Sequence, residues 1–283
     1  MTTELRVPVA DGVALRVLAW RSGPTAGDAV PVLCVHGLAS NALTWVGVAD
    51  RLHDRGHPVA AVDLRGHGRS DKPDDGYDFA TMGADLVAVL DALGWTTAVL
   101  AGQSTGGNLV VDLATRVPAR VAGVVGVDGG ALDLQRRWPE WDDCAVALAP
   151  PRLEGSSEET MVEYFRRAHP DWSDDGVAWT MANFELRADG TVRPWLTFDR
   201  HMRLLRALWE HRPSSDLGRI ATPVVLVMAD TGDFWGAVKR ADAEAAIAAL
   251  PSVEVRWFSP ADHDVHVQHP VAVADLVADW FGG

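Results

Sequence analysis

The sequence predicts an α/β domain: a mostly parallel sheet flanked by helices, with a mainly helical insertion. Three observations carry that expectation. Short runs rich in Val and Ala recur along the chain and lack polar alternation, as strands buried on both faces do. Amphipathic stretches separate them, which implies parallel strands joined by right-handed crossovers. The rhythm then stops after Gly130 and resumes only near Thr222.

In chain order, residues 4–9 and 13–20 flank Asp11-Gly12, a hairpin signal. Strands are expected next at 31–35, 59–62, 98–101 and 121–127, with helices at 81–93 and 108–115. The following stretch holds Trp138, Trp141, Trp172, Trp179, Trp195 and Trp209, several prolines and a helical run at 158–167. It is too long for a plain loop in a compact domain. Strand patterning returns at 223–228 and 253–258, and a helix at 271–280 closes the chain. We therefore assign 1–130 and 220–283 to a core and 131–219 to a helical cap inserted between core strands.

Composition narrows the function classes. A chain of 283 residues can bury one large core and carry a small inserted unit. The net charge of −14 should repel nucleic acid and anionic membranes. No apolar run is long enough to span a bilayer, and the first residues lack a basic-then-apolar leader, so a cytoplasmic location is expected. Cys34 reads as a core residue and Cys144 stands among acids, so neither a disulfide framework nor a Cys-based metal site is expected. The expected partner is a small-molecule substrate, with no nucleic acid, no membrane, and a homodimer as the one assembly left open.

The strongest chemical signal is Gly102-Gln103-Ser104-Thr105-Gly106, set between an expected strand and an expected helix. A serine there sits on a sharp turn that lifts its hydroxyl above the strand ends, and the flanking glycines let the backbone pass close by. Near the C-terminus, His263, His266 and His269 follow the last strand. That is where a base belongs when the order along the chain is Ser, acid, His. His263, the first of them, is the expected base, with His266 and His269 as rivals. No partner stands at a familiar zinc spacing, so no metal is expected.

This order of motifs resembles α/β-hydrolases with a helical cap, over nearly the whole chain. The resemblance implies an oxyanion hole at His36-Gly37-Leu38, built from the backbone N–H groups of Leu38 and Thr105. His36 itself is expected to brace that turn. Asp63 and Arg65, in Asp63-Leu-Arg-Gly-His-Gly-Arg-Ser70, are expected to anchor the next loop. The family often reads Gly-x-x-Ser-Asp at the acid turn. Here Ala229-Asp230-Thr-Gly-Asp233 aligns with it, which points to Asp233 as the acid and leaves Asp230 and Asp128 as alternatives.

Relatives that open epoxides or cleave carbon–halogen bonds use Asp as nucleophile. A serine instead suits acyl transfer through a tetrahedral intermediate. The expectation is a cofactor-free serine hydrolase acting on an uncharged carboxylic ester or related acyl compound, by Ser104, His263 and Asp233. A carbon–carbon bond hydrolase, a cofactor-free perhydrolase and a small-molecule receptor of this fold are its alternatives. His36, Trp45, Phe234 and Trp235 are expected near the substrate pocket, and Arg200 and His201 belong to a helical stretch that could face it. The tryptophans of 131–219 either line an apolar pocket or fasten the cap to the core.

Overall fold

A computed structural model describes residues 2–20, 29–213, 217–232, 234–250 and 252–281. Among the described residues ten strands are formed: β1 (Thr2–Pro8), β2 (Ala14–Trp20), β3 (Val32–Val35), β4 (Val59–Val62), β5 (Ala98–Gln103), β6 (Val121–Val127), β7 (Phe184–Leu186), β8 (Val192–Pro194), β9 (Val224–Ala229) and β10 (Val253–Phe258). Eight of them make one sheet in the order β1-β2-β4-β3-β5-β6-β9-β10. The β1–β2 and β2–β4 pairs are antiparallel, and every pair from β4 onward is parallel. The central strands β3, β4, β5 and β9 are buried at every position, which is why their sequences show no polar alternation. The β1–β2 hairpin turns through Asp11 and Gly12, at φ 59° and 71°, the left-handed region that favours this residue pair.

Helices cover both faces. On one lie α1 (Val46–Asp54), whose Val48 and Leu52 are fully buried, and the closing helix at Pro270–Phe281, which buries Val273 and Val277. On the other lie α2 (Phe79–Ala92) and α3 (Thr105–Arg116). Leu109 and Leu113 of α3 are at most 2% exposed, and burial of each contributes about 1.5–3 kcal/mol. That packing fixes the helix that begins at Ser104. Both α2 and α3 start earlier than the apolar pattern implies. Asp78 caps α2 by accepting from the Thr81 amide at 2.9 Å. The weak helix formers Thr105-Gly106-Gly107 hide the true start of α3.

Between β6 and β9 lie α4 (Leu134–Arg137), α5 (Trp141–Ala147), α6 (Glu158–Ala168), α7 (Asp174–Met181), the antiparallel ribbon β7–β8, and α8 (Phe198–Glu210). The ribbon does not join the main sheet. Arg200 of α8 fastens this segment to the core by donating to the carbonyls of Lys72 and Pro73, at 2.8 and 2.9 Å, and to Asp74. Asn41 ties α7 down through the Trp179 carbonyl at 2.9 Å. Within the segment Trp141 meets Trp209 edge-on with Arg206 over both rings, and Trp172 stacks on His169, while Lys72 of the core lies over the Trp195 ring. After β9 come α9 (Phe234–Ala249), β10, α10 (Val265–Gln268) and α11, the closing helix. No described helix is long and apolar enough to cross a membrane.

Candidate active site

Ser104 ends β5 and opens α3 in a backbone conformation that L-residues avoid, φ 52° and ψ −118°. Strain of this kind costs about 1–3 kcal/mol and persists only where the surroundings enforce it. They do so here from two sides. The Ser104 amide donates to the Val127 carbonyl of β6 at 2.9 Å. Behind the turn, Gly106 lies so near β3 that a Cβ would come within 2.5 Å of the Val35 and His36 carbonyl oxygens.

The turn after β3 carries Leu38. His36 holds it: Nδ1 donates to the Gly37 carbonyl at 2.7 Å, and Nε2 accepts from the Leu64 amide at 3.0 Å. Below it, Asp63 accepts from the amides of Ala42 and Arg69, at 2.7 and 2.8 Å, and Arg65 forms a buried bidentate pair with Asp85. Leu38, Ser104, Thr105 and His263 all line one cavity of about 990 Å³. Thr105 is the first residue of α3, so its amide has no partner within the helix. The cavity wall is largely apolar, with Leu132, Trp138, Leu153, Phe184, Phe198 and Leu205 supplied by residues 131–219.

Of the three late histidines, His263 reaches the cavity and about half of its side chain is exposed there. Its Nδ1 lies 2.5 Å from Asp128 Oδ2. An ionised carboxylate can only accept, so Nδ1 carries the proton and Nε2 is left to accept one. Although its surroundings are dense and burial pulls the imidazole down, the hydrogen bond and charge of Asp128 outweigh that pull. His263 therefore titrates above the ordinary histidine value. His266 is fully buried against the Trp45 ring, at 4.6 Å between centroids, and burial pushes it down to about 3. His269 stacks on Phe258.

Asp128 leaves β6 at φ 43°, with its amide still bonded to the Val227 carbonyl at 2.7 Å. Its side chain is fully buried. Oδ1 accepts from the Ala229 amide at 3.0 Å, while Oδ2 accepts from His263 and from Lys239 Nζ, both at 2.5 Å. Burial would raise its pKa, but His263 and Lys239 hold it below the usual carboxylate range. Gly129 then passes beneath the serine turn, where a Cβ would fall 2.7 Å from the Ser104 amide nitrogen.

The sequence placed several residues otherwise. The acid was expected at Asp233, which lies outside the described residues, as do the side chains of Phe234 and Trp235. Asp230, the nearer alternative, pairs with Arg240 and accepts from the Gly232 amide at 3.1 Å. The carboxylate on His263 is that of Asp128, the third candidate. His36 and Trp45 were expected at the pocket, yet both are fully buried and neither lines the cavity. They sit under its floor because the His-Gly turn presents its backbone to the cavity and its imidazole to the core. Of the pair on α8, His201 lines the cavity and Arg200 does not. Lys239 escaped notice because a lysine inside an amphipathic helix carries no signal in sequence.

Four histidines are kept neutral by burial: His36 and His201 titrate at about 4, and His67 and His266 at about 3. Unfolded, each would take a proton near pH 6.5. The unfolded chain therefore binds more protons between these values, and stability falls as pH drops below about 6.5, by up to about 2 kcal/mol per histidine at pH 5. His263, whose pKa is raised, contributes with the opposite sign. Melting temperature should fall by several degrees from pH 7.5 to pH 5 in calorimetry; a flat profile would contradict this account.

Known proteins match this chain in several ways. Residues 30–174 match the family described as alpha/beta hydrolase fold. The chain is 27% identical over 277 residues to the 2-(acetamidomethylene)succinate hydrolase of Mesorhizobium japonicum, covering 95% of this chain and 91% of that one. It is 39% identical over 120 residues to the non-heme chloroperoxidase of Streptomyces lividans, a match that spans only 42% of either chain. Among solved structures, that of E-2-(acetamidomethylene)succinate hydrolase superposes with a TM-score of 0.76 at 22% identity over the full length of both chains. The thioesterase domain from the curacin biosynthetic pathway gives 0.76 at 22% identity over 99% of each. At that identity the likeness speaks for the fold. Fold, strand order and family match agree: this chain belongs to the α/β-hydrolase fold family.

Proposed function

We propose that this protein is a serine hydrolase that cleaves an uncharged carboxylic ester or related acyl compound through an acyl-enzyme on Ser104. The observation that carries the proposal is the strained serine turn opening into the same cavity as an imidazole bonded to a buried carboxylate. His263 Nε2 takes the Ser104 proton as Oγ attacks the acyl carbon. The oxyanion rests on the amides of Leu38 and Thr105, and such preset donors are worth about 2.7–4 kcal/mol each. His263 then protonates the leaving alcohol, and water, activated by the same imidazole, releases the acid. Asp128 holds His263 in the required tautomer and stabilises the imidazolium. The apolar wall favours an apolar acyl or alcohol group, and His201, neutral through burial, adds no charge to it.

Hydrolysis of a p-nitrophenyl ester series of rising chain length tests this. Turnover with an optimum at a medium chain is expected, and none with any ester would overturn the ester assignment. The base must be neutral to act, so kcat/KM should fall on the acid side with a midpoint above about 6.5, because Asp128 raises the pKa of His263. A midpoint below that value would contradict the His263–Asp128 pair.

A perhydrolase is the second possibility, favoured by the match to a relative named non-heme chloroperoxidase. Hydrogen peroxide would replace water on the acyl-enzyme, giving a peracid and free Ser104. Peracid formed from acetate and peroxide, absent in Ser104→Ala, would establish it.

A further inference from the structure

The carboxylate of Asp128 has a second cation on it. Lys239 Nζ, from α9, donates to Oδ2 at 2.5 Å, the same oxygen that accepts from His263 at the same distance. It also donates to the Ala229 carbonyl at 3.2 Å, so it joins the acid to the end of β9. The lysine side chain is only 10% exposed and reaches the cavity wall that Ser104 and His263 share. Burying an ammonium group is costly unless an anion accepts it, and here the acid fills that role. The proton transfers of ester hydrolysis do not call for a cation at this point.

Two donors on one oxygen compete. Lys239 fixes where Oδ2 lies and keeps Asp128 ionised, yet it also places a positive charge beside the imidazole that must become positive during catalysis. The groups facing His263 divide accordingly. Asp128 and Asp264 favour the imidazolium, Lys239 opposes it, and His266, on the next helix, is held neutral by burial.

We propose that Lys239 is a positioning residue that anchors the acid Asp128 and, by competing with His263 for Oδ2, sets the lower edge of the pH range in which the site works. The proposal rests on the serine-hydrolase assignment for its catalytic consequence, but its electrostatic core can be tested without turnover.

The experiment is an NMR titration of histidine-labelled full-length protein, with the His263 signal identified by its loss in His263→Gln. Lys239→Gln keeps a donor and removes the charge, and it should raise the His263 midpoint by about one pH unit. Lys239→Arg keeps the charge and should leave the midpoint near that of wild type. In parallel, the pH dependence of Ser104 labelling by a fluorophosphonate should move with the same midpoint. A Lys239→Gln midpoint equal to wild type overturns the proposal. Should Lys239→Gln not fold, lysine-labelled wild type decides: one ammonium signal must shift as His263 titrates, and a Lys239 signal blind to that midpoint overturns the proposal equally. A protein that never labels at Ser104 refutes the hydrolase assignment and leaves the titration to judge Lys239.

Discussion

Ser104→Ala is expected to lower kcat on the best p-nitrophenyl ester by about 10⁴–10⁶-fold with little change in KM or melting temperature. The hydroxyl is the only group removed, and a methyl in its place meets no new neighbour. The substrate cavity and the two amides of Leu38 and Thr105 stay as they are, so some rate above water should survive from binding and the oxyanion hole. Alanine at position 104 still has to adopt φ 52°. That strain is common to both proteins and cancels from the comparison. Activity within about tenfold of wild type would remove Ser104 from the mechanism, since no general base can substitute for an absent nucleophile.

Asp128→Asn should cost nearly as much, about 10⁴-fold in kcat. An amide at Oδ2 can present N–H to His263 Nδ1, which flips the proton to Nε2 and leaves no acceptor facing Ser104. It also leaves the Lys239 ammonium, buried to 10% exposure, without its anion, so the variant should be less stable as well. Asp230→Asn is the control. Asp230 pairs with Arg240, which is about half exposed, and no described contact joins it to His263. Activity should stay within about threefold of wild type. The reverse pattern, a silent Asp128→Asn beside an inactive Asp230→Asn, would return the acid to the turn after β9.

The central strands β3, β4, β5 and β9 were legible because each is a short run dominated by Val, Ala and Leu, and a strand covered on both faces tolerates little else. The hairpin at Asp11-Gly12 and the serine turn were legible for a related reason, since both need backbone that few sequences allow. The ribbon β7–β8 was not legible: three residues a side, partly exposed, leave no alternation to read. The acid could not be fixed either. Asp128, Asp230 and Asp233 all follow a strand, and a carboxylate carries no local sign of which imidazole it will meet. What brings Asp128 to His263 is non-local: β6 lies beside β9, the Ala229 amide points at Oδ1, and the loop from β10 brings His263 to Oδ2. His36 and Trp45 show the opposite failure, in which nearness along the chain to an oxyanion turn suggested a pocket and packing placed both side chains beneath it.

Asp128 is followed by Gly129 and Gly130, and the next residue begins the segment that roofs the cavity. The carboxylate that holds His263 is therefore the doorpost from which the segment lining the cavity hangs. Recombination at this junction is constrained: a foreign segment grafted downstream of Gly130 leaves the His263–Asp128 pair intact, whereas a crossover before Asp128 carries its carboxylate away. The end of β9 and α9 are bound to the same junction, because the Ala229 amide and Lys239 both hold Asp128, so a library meant to broaden the substrate range while keeping the chemistry would be drawn downstream of Gly130 first.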